Sequence, residues 1–147
     1  MVTINEARVV DARVDKVWEV VSDIDRDTDY WSGLSSIRNL RKDGNVIERE
    51  VSVGFIGQTS LQRIELKPKE LVELKMIRGP LKGSREIRLT SLDSDNKTRV
   101  DVSWNFEFSG VPEFARPFVR SQLEHGTKEA LAKITVVAED GRKRRLQ

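Results

Sequence analysis

The chain has 147 residues, with 26 basic and 24 acidic side chains, one histidine and no cysteine. A length of this order predicts one domain that buries enough surface to fold without a disulfide or a metal. The lack of cysteine excludes disulfide frameworks, thiolate metal sites and cysteine nucleophiles, and it is typical of a reducing compartment, here the cytoplasm. No stretch approaches roughly 18 consecutive apolar residues and the N-terminus has no apolar signal region, so we expect neither stable membrane insertion nor secretion.

The basic residues are unevenly distributed along the chain. Four of them lie together near the C-terminus, at Arg142, Lys143, Arg144 and Arg145, and without these four the 26 basic residues fall to 22 against 24 acidic ones. The body of the protein is therefore slightly acidic, and we expect no nucleic-acid partner. Residues 1–140 are predicted to form a single domain, and residues 141–147 a disordered basic tail.

The first third of the chain predicts a strand and two short helices. Residues 2–10 have strand composition. Apolar residues then recur at helical spacing at Val17, Val20, Val21 and Ile24. A second short helix is expected over Asp25 to Trp31, and Gly33 ends it.

From residue 35 to residue 108 the pattern is a succession of strands. Turn residues interrupt it at 42–45, 56–57, 67–69, 79–80 and 93–96. This regular spacing favours a sequential antiparallel sheet. The last strand alternates most clearly, because Val100, Val102, Trp104, Phe106 and Phe108 share one phase, which predicts one buried and one solvated face.

A long C-terminal helix follows the break at Gly110-Val111-Pro112. Because Pro117 is tolerated only near a helix start, we expect a short turn at 112–116, a break, and then the main helix from about 117 to about 139. Its predicted buried stripe has a spacing of four, with further apolar residues beside it: Phe114, Phe118, Gln122, Gly126, Ala130 and Ile134, flanked by Val119, Leu123, Leu131 and Val137. The middle of this stripe is small or polar, so a curved sheet opposite it would leave a cavity.

Together these elements predict an α+β fold, in which a curved antiparallel sheet of about seven strands wraps around a long C-terminal helix, with two short helices between the first and second strands. This layout, the segment VDKVWEVVSD at 14–23, the following Trp31, and Leu123 with Ala130-Leu131 in the last helix resemble the START-like helix-grip (SRPBCC) superfamily. Within it, the chain is most similar to the polyketide cyclase/dehydrase and lipid-transport branch, to which the coenzyme-Q-binding proteins are similar. The resemblance implies an apolar ligand cavity, and only some members of the superfamily are enzymes. It transfers no catalytic residue to this chain.

Two arginines are the most informative polar residues on the predicted inner faces. Arg49 is in phase with Val51, and Arg85 is in phase with Ile87. An unpaired buried guanidinium costs several kcal/mol, so each arginine requires either an acidic partner or a polar ligand group, such as a carboxylate, a phosphate or a quinone-like oxygen. In the alternative interpretation, both reach solvent at strand ends or pair with a carboxylate on a neighbouring strand. The candidate ligand-binding residues are Trp31, Arg49, Phe55, Met76, Arg85, Trp104, Phe106, Phe108, Phe114, Phe118 and Gln122.

Metal and cofactor sites find no support in the sequence. Four aspartates at 23, 25, 27 and 29 resemble the start of a calcium loop, but Thr28 and Leu34 occupy the positions that need glycine and glutamate. We therefore interpret these aspartates as capping and solvated turn carboxylates. His125 is the single histidine, so it cannot form a multi-histidine metal site, and no serine motif supplies it with a nucleophile. No catalytic residue, metal or cofactor is predicted.

Three classes of function remain open. The first is a non-enzymatic carrier or sensor of a hydrophobic small molecule, such as a lipid, a quinone or a polyketide-like compound, and the sequence favours it. The second is a cyclase or dehydratase, which needs converging polar groups in the cavity, and its candidates are Arg49, Arg85, Tyr30, Gln122 and His125. The third is a module that binds another protein or a membrane surface, which an exposed apolar patch would favour.

Overall fold

The computed structural model describes the backbone of residues 1–146 and the side chains of residues 1–140. The chain begins with β1 (Val2–Val10), α1 (Val14–Val21), a 3-10 turn (Ile24–Arg26) and α2 (Asp27–Tyr30). Six strands follow: β2 (Leu34–Asp43), β3 (Val46–Val53), β4 (Gln58–Lys67), β5 (Leu71–Arg78), β6 (Leu81–Leu92) and β7 (Lys97–Phe108). A second 3-10 turn (Glu113–Ala115) leads into α3 (Arg116–Leu146).

The seven strands form one curved antiparallel sheet in the order β1-β7-β6-β5-β4-β3-β2. Consecutive strands from β2 to β7 are neighbours, so the predicted meander is confirmed. β1 pairs with β7 and forms the edge of the sheet opposite β2, with Val2 opposite Phe106 and Val10 opposite Thr98. Because β1 and β2 occupy opposite edges, the segment between them, which contains α1 and α2, has to cross the sheet.

The inner face of the sheet is built by the strand alternation that the sequence predicts. Val100, Val102, Trp104 and Phe106 on β7 are all buried, while Asn105 and Glu107, which point to the opposite face, are exposed. The same rule of alternate faces buries Arg49 on β3 and Arg85 on β6. Both arginines therefore lie on the side of the sheet that faces the helices.

The buried stripe of α3 differs from the predicted one at its N-terminal half. Phe114, in the turn before α3, is 89% exposed and Phe118 is 55% exposed, and Val137 near the other end is also exposed. The observed stripe combines spacings of four and three: Val119, Leu123, Thr127, Ala130, Leu131, Ile134 and Ala138. A strict spacing of four drifts by about 40° per step on a helix of 3.6 residues per turn. Over the four steps from Ile134 back to Phe118 this drift reaches roughly 160°, which turns Phe118 away from the sheet.

The ends of α3 also differ in part from prediction. The predicted turn before the helix is confirmed by the 3-10 turn, and Pro117 lies in the first helical turn, where its missing N–H breaks no intrahelical bond. The helical backbone continues to Leu146, beyond the expected end near 139. The side chains of 141–147 lie outside the described residues, so the basic tail and the boundary at 140 stay predictions. Among the helices described here, none is both long and apolar enough to cross a membrane.

Candidate functional site

A cavity of about 70 Å³ lies between the sheet and the N-terminal half of α3. Its apolar wall includes side chains from five strands and from the loop between β3 and β4. Polar groups reach it at Ser60, Gln62, Arg85 and Gln122. The lining residues are Trp31, Ser32, Gly33, Leu34, Val53, Phe55, Ser60, Gln62, Met76, Pro80, Leu81, Arg85, Trp104, Gln122, Leu123 and Gly126. The space follows from the sequence of α3, because Gly126 has no side chain and no other atom approaches the position that its Cβ would take.

Two tryptophans form one wall of this cavity. The Trp31 and Trp104 rings meet edge to face at a centroid distance of 6.1 Å, a geometry that aromatic pairs favour. The indole Nε1 of Trp104 donates a hydrogen bond of 3.0 Å to Thr127 Oγ1, which in turn donates one of 2.7 Å to the Leu123 carbonyl. The sheet and α3 are therefore joined by a buried polar link at the edge of the cavity, which holds the Trp104 ring in a fixed orientation.

Arg49 is completely buried, and each of its three guanidinium nitrogens donates a hydrogen bond within the chain. Its Nη2 lies 2.8 Å from Asp27 Oδ2, its Nη1 donates to the Ile24 carbonyl at 2.9 Å, and its Nε donates to Gln62 Oε1 at 3.0 Å. These bonds attach the 3-10 turn and α2 to β3 and β4, close to the β2 edge of the sheet. Because Trp31 directly follows α2, Arg49 also positions one wall of the cavity. Arg49 thus holds α2 against the sheet and does not line the cavity itself.

Asp27 corrects the interpretation of the aspartate-rich segment. Its side chain is buried, whereas the sequence suggested solvated turn carboxylates. Burial raises the pKa of the Asp27 carboxyl above its ordinary value, and the Arg85 and Arg49 guanidinium groups act in the opposite direction. The partner of Arg49 thus comes from a helix, not from solvent or a neighbouring strand. One signal in the sequence could have identified it, since Ile24, Asp27 and Trp31 follow the i, i+3, i+7 spacing of a single helical face.

Arg85 is the unsatisfied charged group of the site. It is 2% exposed, and its Nε is buried without a hydrogen-bond partner. Among the residues whose side chains are described, none accepts a hydrogen bond from its guanidinium, which instead stacks over Trp31 at 4.3 Å from the ring centroid. Burial lowers the pKa of Arg85 to about 10, partly offset by Asp27. The group therefore remains a cation at neutral pH, with free donors at the cavity wall.

Gln62 supplies a second donor beside this cation. Its Oε1 accepts the hydrogen bond from Arg49, and its side chain lines the cavity. The remaining amide N–H₂ group finds no acceptor within the described part of the chain. Gln62 was not predicted from the sequence, because no inward-facing phase was assigned to the strand that contains it. Its position in β4 directly opposite Arg49 gives the missing signal.

The structure brings together six of the predicted ligand-binding residues at the cavity wall: Trp31, Phe55, Met76, Arg85, Trp104 and Gln122. Whether they contact a ligand stays a prediction. Phe106 is buried in the core, and Phe108 is half-buried below Arg116, whose guanidinium carbon lies 5.5 Å from its ring centroid. With Arg49, Phe114 and Phe118, these five predicted residues lie outside the lining.

The remaining catalytic candidates do not converge on the cavity. Tyr30 is buried but does not line it, and burial raises its pKa. His125 is exposed and lies 3.8 Å from Glu129 on the outer side of α3. No group of three or more potential metal ligands occurs among the side chains that the structure describes. Arg85 is therefore the charged group in the described cavity wall, and the other polar side chains there, Ser32, Ser60, Gln62 and Gln122, are neutral.

Comparison with known proteins places the chain in a family. The family model described as "polyketide cyclase / dehydrase and lipid transport" matches residues 1–139. The chain belongs to this family. Membership confirms the resemblance to the START-like helix-grip superfamily that the arrangement of elements implied. No curated protein sequence matches the chain.

Solved structures of other family-like proteins share this fold at low sequence identity. The Thermus thermophilus protein TTHA0849 superposes with a TM-score of 0.79 at 14% identity, over 95% of this chain and 99% of its own. The Zhui aromatase/cyclase from a Streptomyces species gives 0.74 at 18% identity, over 99% and 96% of the two chains. A START superfamily protein from Mycobacterium smegmatis gives 0.68 at 17% identity, over 99% of each. At these sequence identities, the three superpositions establish the fold of this polyketide cyclase/dehydrase family member and nothing further.

Proposed function

We propose that this protein binds a hydrophobic small molecule, a lipid, a quinone or a polyketide-like compound, in the cavity between the sheet and α3. The observation that carries the proposal is an apolar cavity with an unpartnered buried guanidinium in its wall. A cation that the fold buries without satisfying its donors costs stability, so an acceptor that enters the cavity gains what the chain does not provide. The family description, which names both lipid transport and cyclisation, supports the same class of ligand.

Binding of such a ligand requires the cavity to widen. Its volume of about 70 Å³ is well below the roughly 300–1,000 Å³ that pockets for small-molecule ligands commonly have. We infer that the loop 54–57 between β3 and β4 provides the opening. Phe55 in this loop lines the cavity, and its ring lies 2.8 Å from the position that a Cβ on Gly33 would take. Gly54 and Gly57 flank the segment, and glycine accommodates large backbone changes without steric penalty.

Native mass spectrometry of the purified protein, followed by extraction and identification of retained compounds, tests the proposal directly. Titration of the tryptophan fluorescence with lipids, quinones and aromatic polyketides gives the affinity, because Trp31 and Trp104 both line the cavity. In Gly126→Leu the new side chain points into the free space at that position and is expected to abolish binding. Val136→Leu, at an exposed position of the same helix, is the matched control. A protein that retains nothing and binds none of these compounds would contradict the proposal and favour an interaction module.

A cyclase or dehydratase is the second candidate, because two donors, Arg85 and Gln62, reach one cavity and could polarise a substrate carbonyl. The carrier is favoured because the buried carboxylate nearest to these donors, Asp27, is already bound by Arg49. A general base with access to a substrate is thus missing from the described lining. The decisive test measures turnover and binding of a linear poly-β-ketone. If the wild type turns it over and Arg85→Gln binds it without turnover, the protein is an enzyme. We retain the cytoplasm as the expected compartment, on the basis of the cysteine-free composition.

A further inference from the structure

We propose that the ligand is an amphiphile with a single carboxylate and that this carboxylate binds to Arg85. This inference rests on the proposed function, since it assigns the chemical class of the molecule in the same cavity. It is carried by the balance of buried charge and by the geometry around the guanidinium.

The buried charges of the described chain do not cancel. Arg49, Arg85 and Asp27 are the buried charged side chains, so two cations face one anion and leave one positive charge in excess. Asp27 is already bonded to Arg49 at 2.8 Å. Arg85 therefore lacks a counter-ion of its own, and one negative charge in the cavity would neutralise the cluster. Protonation of Asp27 would increase the positive excess, so either state of that carboxyl favours an anion.

The guanidinium of Arg85 is surrounded by aromatic rings, and its Nε has no acceptor. The Trp31 ring covers one face of the group at 4.3 Å, and Trp104 lies 5.7 Å away. Stacking occupies a guanidinium face and leaves its N–H edge free, and that edge matches the two oxygens of a carboxylate through parallel hydrogen bonds. The orphaned Nε is one of the donors that such a pair would use.

Other polar groups satisfy this site less well. A quinone or ketone oxygen accepts hydrogen bonds but leaves the excess charge buried without a counter-ion. A phosphate monoester carries about −1.5 to −2 charges at neutral pH, which is more than the one positive charge in excess. A carboxylate supplies one charge in a small planar group. Its apolar chain would then extend along Met76, Leu81 and Phe55, which line the same cavity.

The test compares ligands that differ in the head group alone. Decanoate, decanol and decyl phosphate are titrated against the tryptophan fluorescence of the intact protein at neutral pH. We expect decanoate to bind at least tenfold more tightly than decanol and more tightly than decyl phosphate. Arg85→Gln should remove this preference, so that decanoate no longer binds more tightly than decanol. Arg88→Gln, which changes an exposed arginine on the outer side of the same strand, should preserve it.

The outcomes separate this inference from the proposed function. If none of the three compounds and no other hydrophobic compound binds, the proposed function itself fails. Equal binding of decanol and decanoate, tighter binding of decyl phosphate, or a preference for decanoate that survives in Arg85→Gln would overturn the carboxylate assignment while keeping the cavity. The melting temperature without ligand provides a second readout that does not depend on the choice of ligand. A counter-ion site predicts that Arg85→Met melts at the same temperature as the wild type or higher, whereas a structural arginine predicts a marked decrease.

Discussion

Replacement of Arg49 by methionine tests whether the buried ion pair holds α2 and Trp31 in place. The change removes three hydrogen bonds, to Asp27, Ile24 and Gln62, and leaves Asp27 buried without its direct partner. Breaking a buried pair by removing one member costs about 3–5 kcal/mol, a large share of a typical total of roughly 5–15 kcal/mol. For a domain of this size the melting temperature should then fall by about 6–20 °C.

Urea denaturation followed by tryptophan fluorescence and circular dichroism measures this loss. Arg38→Met is the matched control, because its ion pair with Glu50 at 3.4 Å is exposed, and exposed pairs contribute roughly 0–1 kcal/mol. The triple variant Asp27→Leu with Arg49→Met and Arg85→Met removes all three buried charges. It should therefore be more stable than Arg49→Met alone. A loss of less than about 1 kcal/mol in Arg49→Met, or a triple variant less stable than the single one, would refute the reasoning.

Three further changes test other parts of the structure. Thr127→Val leaves the Trp104 indole N–H buried without an acceptor and should lower the free energy of unfolding by about 1–3 kcal/mol. Thr127→Ser keeps the hydroxyl and should retain most of the wild-type stability. Equal stability of the two variants would contradict the assigned link. Gly83→Ala should destabilise by more than about 1 kcal/mol, because its φ is +150° and a Cβ would overlap the backbone oxygen of Asn105. Gly126→Ala in α3 should instead stabilise by about 0.5–1 kcal/mol, and the reverse order of the two variants in thermal melts would contradict the geometry. Burial raises the folded-state pKa of Asp27 above its ordinary 3.8, so the folded state binds this proton more tightly than the unfolded state does. The difference in unfolding free energy between the wild type and Asp27→Asn should therefore fall as pH rises from about 3.8 to the folded-state pKa, by at most about 1.4 kcal/mol per pH unit. Above the folded-state pKa the difference should stay level. A difference that grows with pH would show that the paired arginines outweigh burial.

The sheet could be predicted from the sequence because its signals are local. Each strand alternates with a period of two, and each turn contains Gly, Pro, Asn or Asp, whose backbone preferences act over a few residues. The alternation put Arg49 and Arg85 in phase with buried residues but left open whether they reach solvent at strand ends, and both are buried in the structure. The buried face of α3 was less well predicted, because a spacing of four drifts around the helix. Phe118 was assigned by that spacing, although Val119 is the residue that packs on the sheet.

The site itself depends on contacts between distant parts of the chain. Asp27 and Arg49 are 22 residues apart in sequence, and a pairing of this kind is set by the position of α2 over the sheet. The sequence contains several aspartates near Asp27, and helical phase distinguishes only one of them as buried. Likewise, the size of the cavity depends on how closely α3 approaches β7, which the link from Trp104 to Thr127 determines.

The two inward arginines carry the same signal in sequence and differ in the residues beside them. Arg49 lies next to Asn39 and Gln62 in the sheet and below Asp27, so polar atoms surround its guanidinium. Arg85 lies between Leu74 and Trp104, and its neighbours on both strands are apolar. In this register of β5, β6 and β7, the residues directly opposite Arg85 on the adjacent strands therefore provide no acceptor for its guanidinium. Since a buried cation without a partner is costly, we infer that the acceptor for Arg85 comes from a molecule that enters the cavity, whereas Arg49 serves the fold.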